Sequence, residues 1–86
     1  MGGRPFRGHV FQRFPDRWRA IAALGRGSED FRWLCEDYGE AVEALRRWQA
    51  ATADPRAPAR IEEFGQLVVE LEDEILAALA ATEPVR

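Results

Sequence analysis

Six apolar residues recur at alternating steps of three and four through the middle of this chain: Phe31, Leu34, Tyr38, Ala41, Leu45 and Trp48. A second set, Ile61, Phe64, Val68, Leu71, Ile75 and Ala78, repeats the same steps. Such spacing is the seam of a helix that packs lengthwise on another, with a mean period of ~3.5 residues. The two seams also match each other. In an antiparallel pair, facing residues have a constant index sum. Trp48–Ile61, Leu45–Phe64, Ala41–Val68, Tyr38–Leu71, Leu34–Ile75 and Phe31–Ala78 all sum to 109. Six layers in register predict an all-α fold, an antiparallel, coiled-coil-like helical hairpin roughly 30 Å long at ~1.5 Å per residue. Cys35 and Val42 widen the first seam on one side.

Local signals set the ends of these helices. Ser28 is a good N-cap, with Glu29 and Asp30 in the first turn after it, so the first long helix is expected at 28–51. The stretch from Ala50 to Ala59 holds Asp54, Pro55 and Pro58 and reads as a loop, with the second long helix at 58–81 and a short tail at 83–86. Pro15 suits a first helical position and Asp16 the positive helix end, which predicts a short helix at 15–24 carrying Trp18, Ile21 and Leu24 on one side. Gly25 and Gly27 are expected to stop it. Residues 1–13, with three glycines, one proline and no helical period, read as a flexible basic arm. Phe6, Val10 and Phe11 give that arm the means to dock in part on the helices. Gly65 falls opposite Ala44, where the backbones could approach closely.

With 86 residues there is room for one core, here placed at 14–82. At 47% hydrophobic, the composition excludes a disordered chain. The longest apolar runs, Ala20 to Leu24 and Leu76 to Ala81, fall far short of the ~20 residues of a membrane span. A single cysteine, Cys35, forms no internal disulfide, and one Cys with one His, His9, makes a poor zinc site. That usage predicts a reduced, cytoplasmic setting, and no cofactor is expected. Charge is uneven. Residues 1–28 carry six Arg against one Asp, whereas 61–86 carry seven acids against one Arg. A basic head on an acidic body points to complementarity within or between chains.

A two-helix hairpin buries one stripe per helix. Trp33, Leu67, Val69, Leu76 and Leu79 lie beside or behind the seams, and Val69 and Leu76, seven apart, share a helix side. Three tryptophans in a chain this small suit an interface.

The order Phe14-Pro15, Ile21, Leu24, Phe31, Leu34, followed late by Leu71-Glu72-Asp73-Glu74-Ile75, resembles the small YdcH-like proteins over about residues 14–80. That family has a His where this chain has Tyr38 and a Leu-Asp step where it has Ala41-Val42. The resemblance implies a small α-helical hairpin and carries over no catalytic residue.

Chemistry is sparse. Glu36, Glu40 and Glu43 on one helix, and Glu70, Asp73 and Glu74 on the other, avoid the seams and read as solvated faces. A bundle metal site would place Glu and Glu-x-x-His inward. Cys35 beside the seam and His9 in the arm make no nucleophile–base pair, so no enzyme is expected. The sequence predicts a non-catalytic interaction module, an accessory subunit, adaptor or regulator that self-associates or docks on a larger protein. Its partner-binding residues would be Trp18, Trp33, Val69 and Leu76, with Arg13, Arg17 and Arg19 fixing orientation by charge. The alternative is a nucleic-acid-binding accessory protein. It would use Arg4, Arg7, Arg13, Arg17, Arg19 and Arg26 on phosphates, with Phe6, Phe11 and Trp18 stacked on bases.

Overall fold

The computed structural model describes residues 8–82. They are all-helical, with no strand among the described residues. In order come α1 (Gly8–Arg13), a 3-10 turn (Pro15–Arg17), α2 (Trp18–Gly27), α3 (Glu29–Ala50) and α4 (Ala57–Ala81). The two long helices pack on each other; α1 packs on α3, and α2 on both α3 and α4.

The helix ends follow from side chains that satisfy free backbone groups. Ser28 is extended and its hydroxyl oxygen accepts from the Phe31 amide at 3.1 Å, which starts α3. Asp54 turns the chain between α3 and α4. Its carboxylate accepts from the Arg56 amide at 2.9 Å and from the Arg56 guanidinium at 2.9 and 3.1 Å. Those hydrogen bonds and the Arg56 charge hold the Asp54 carboxyl below its ordinary range. Pro58 sits in the first turn of α4, where it lacks only an amide hydrogen that has no intrahelical partner.

Two expectations are corrected in part at the N-terminal end. Residues 8–13, read as a flexible arm without helical period, form a helix, and Val10, expected to let the arm dock, is fully buried in one core cluster with Ile21, Phe31 and Cys35. The rest of the expected arm, residues 1–7, lies outside the described residues, as does the tail at 83–86. Helix α2 runs through Gly25 and ends at Gly27. Gly25 is buried, and its carbonyl accepts from the Arg32 guanidinium at 2.6 Å, so the last turn keeps a partner from α3.

The core comprises Val10, Phe14, Ile21, Phe31, Cys35, Tyr38, Ala41, Leu71, Ile75 and Leu79. Leu79, expected off the seam, is fully buried: four residues after Ile75 and eight after Leu71, it shares their side of α4. Leu34, Leu45, Trp48, Ile61, Phe64, Val68 and Ala78 of the two seams are half-buried. Gly65 shows no close approach: a methyl group placed there would meet nothing within 4 Å.

Candidate interaction surface

Glu72, in the middle of α4, organises one flank. The Tyr38 hydroxyl donates to its Oε2 at 2.7 Å, and Arg13 Nε donates to the same oxygen at 3.1 Å. Burial, then the hydrogen bond to Glu72 and its negative charge, push the Tyr38 phenol well above its ordinary 10.0. Arg13 and Arg46 pull it partly back. The Arg13 guanidinium also lies over the Phe14 ring, 4.9 Å from its centroid. At the other end of α1, His9 Nε2 sits 2.9 Å from Glu43 Oε2. Thus α1 is tied to α3 at its start and to α4 at its end, with Val10 buried between.

Among the described residues the exposed large hydrophobics are Trp33 at 61%, Val69 at 54%, Trp18 at 53%, Leu76 at 39% and Leu67 at 38%. Val69, Glu72 and Leu76 fall on one side of α4 by helical spacing, so the Val69–Leu76 strip runs beside the carboxylate that holds Arg13. Trp18 opens α2, with the Arg19 guanidinium 5.2 Å from its ring centroid. Arg17 ends the 3-10 turn just before it. Trp33 stands elsewhere. It is one turn ahead of Asp37, which borders a groove on the opposite flank of α4 from Leu76.

That groove was not read from the sequence as a site. It runs between α3 and α4 with a volume of about 430 Å³. Ala41, Ala44, Phe64, Leu67 and Leu71 form its apolar floor, and Asp37, Glu40 and Arg47 its polar rim. Its signal was the pair of small residues, Ala41 and Ala44, on α3 against Phe64, Leu67 and Leu71 on α4. Small side chains there leave the facing large ones uncovered.

Glu40, Glu43, Glu70, Asp73 and Glu74 are exposed and Glu36 is half-exposed. No group of three or more His, Cys, Asp or Glu able to hold a metal ion occurs among the described residues. Cys35 is fully buried in the core, and no described helix is long and apolar enough to cross a membrane. No family model, curated protein or solved structure matches this chain.

Proposed function

We propose that this chain is a non-catalytic protein-interaction module of the reduced cytoplasm, a small accessory subunit, adaptor or regulator. It self-associates or docks on a larger partner through apolar side chains outside its own core. The observation that carries this reading is the exposure of Trp18, Trp33, Val69 and Leu76 in so short a chain. Water-exposed aromatic and branched side chains are favourable to bury, at ~25 cal/mol per Å² of apolar surface. Arg17 and Arg19 flank Trp18 and orient the docked surface by charge. Arg13 acts at the edge of the strip while tied to Glu72.

The scaffold in this reading is the antiparallel hairpin in the register of index sum 109, the architecture that the likeness to the YdcH-like proteins also implies. Three placements support that register. Tyr38 bonds Glu72 across the middle. Ala41 and Ala44 line one groove with Phe64, Leu67 and Leu71. Phe31 and Leu34 line a hollow with Ala78 and Ala81 at the far end.

The test is a pull-down with the tagged full chain and with the Val69→Glu/Leu76→Glu variant, with and without nuclease treatment. The expected result is a protein recovered in fixed ratio by the wild type and lost by the variant, whose circular dichroism stays helical. Equal recovery by both forms removes the strip from the reading. Recovery that vanishes on nuclease treatment turns the reading to nucleic acid held through the arginines of the N-terminal end.

A further inference from the structure

We propose that the groove between α3 and α4 is the seat of a second copy of this chain, turned end over end about a two-fold axis. This inference rests on the hairpin register and the association reading given above, but it uses a different surface from the Val69–Leu76 strip. The charges along the groove are arranged self-complementarily. On α3 the rim is acidic at Asp37 and Glu40 and basic at Arg47. On α4, Arg60, Leu67 and Glu74 are spaced seven apart, so all three share the groove side. Each helix therefore carries opposite charges at opposite ends of one apolar stretch. Asp37 and Arg47 are symmetric about position 42, and Arg60 and Glu74 are symmetric about position 67.

Positions 42 and 67 lie at the same level of the hairpin, because they too sum to 109. One two-fold axis at that level therefore serves both helices at once. It sets Arg47 against the partner's Asp37 and Arg60 against the partner's Glu74. It brings Leu67 onto the partner's Leu67, in a centre where Ala41 and Ala44 allow the helices to come close. Self-complementarity of this kind is what an isologous interface requires. A uniformly basic peptide would fit less well, since it would meet Arg47 and Arg60. Arg60 has little to give up: it now bonds Glu63 at 2.7 Å across a single exposed turn, a pair of the weakest class.

The experiment measures the mass of the full chain by sedimentation equilibrium over a wide concentration range. The wild type is expected to be a dimer. Leu67→Glu should be a monomer of unchanged helicity, since Leu67 is exposed. Arg47→Asp should weaken the dimer about tenfold through like charges facing across the axis. The swap Asp37→Arg/Arg47→Asp should restore it, which a merely structural effect of either change would not do. A monomeric wild type, a dimer indifferent to Leu67→Glu, or a swap that fails to restore mass overturns the proposal. A dimer lost in Val69→Glu/Leu76→Glu and kept in Leu67→Glu overturns the groove alone and leaves the association reading standing. A wild-type dimer lost in Leu67→Glu and kept in the strip variant supports the groove, and it moves the self-association off the strip.

Discussion

Tyr38 shows what one polar atom does in an otherwise apolar seam. Its ring is buried with the core and its hydroxyl reaches Glu72, which also takes Arg13. Helical spacing places Tyr38 on the seam, but the spacing is silent on what the hydroxyl bonds. Tyr38→Phe keeps the ring and removes the hydroxyl, leaving Glu72 with Arg13. A loss of about 1 kcal/mol is expected in urea unfolding near neutral pH. The pH dependence has a definite sign. The folded chain holds the phenol proton more tightly than the unfolded chain does. Tyr38 therefore contributes stability that is fully present below its ordinary value of 10.0 and is lost as pH rises beyond it. The wild type should lose stability above that point more steeply than Tyr38→Phe. Equal slopes would mean that the phenol titrates alike in both states.

At the scale of the element, local chemistry and tertiary packing compete most visibly at glycine. Gly25 and Gly27 carry the sequence signature of a helix stop, yet α2 continues through the first and ends at the second. The Arg32 guanidinium on the Gly25 carbonyl supplies from another helix the partner that a terminal carbonyl needs. Gly65 is the opposite case. Its place facing Ala44 in the seam register predicts a tight backbone crossing, and the structure leaves open space there. Gly65→Ala should therefore stabilise the fold, by up to about 1 kcal/mol from helix propensity alone. A rise in the thermal midpoint checks this, and a fall would mean that the added methyl is resisted. The boundaries of α3 and α4 were legible to within about a residue, because Ser28, Asp54 and Pro58 each act on the backbone next to them.

For the whole molecule, the decisive fact is which flank of the long helices α1 and α2 cover. Leu79 and Val69 are both read as off the second seam, yet Leu79 stands four residues after Ile75 on its side of the helix and Val69 does not. The structure buries Leu79 fully and leaves Val69 half in water. Leu79→Ala should cost about 2–5 kcal/mol, as removal of a core side chain does. Val69→Ala should change stability by no more than about 0.5 kcal/mol, as surface changes do. Chemical denaturation of the two variants side by side checks the pair of values. Similar losses would mean that Leu79 is not part of the core. The same asymmetry leaves the groove at Leu67 open, since nothing among the described residues packs over that side.

The sequence by itself determined the helical class, the two long helices and the loop between them. Those follow from periodicity and from capping residues, which act within a few positions along the chain. It also picked out Trp33, Leu67, Val69 and Leu76 as side chains outside the seams, and wrongly set Leu79 with them. The tertiary structure alone decided that Leu79 belongs to the core, that residues 8–13 dock as a helix, that Arg13 and Tyr38 share Glu72, and that no described helix covers one face between α3 and α4. The physical reason is that periodicity tells which side of a helix is apolar, whereas burial depends on which other helix arrives there. Short segments such as residues 8–13 have too few turns to declare themselves before they dock.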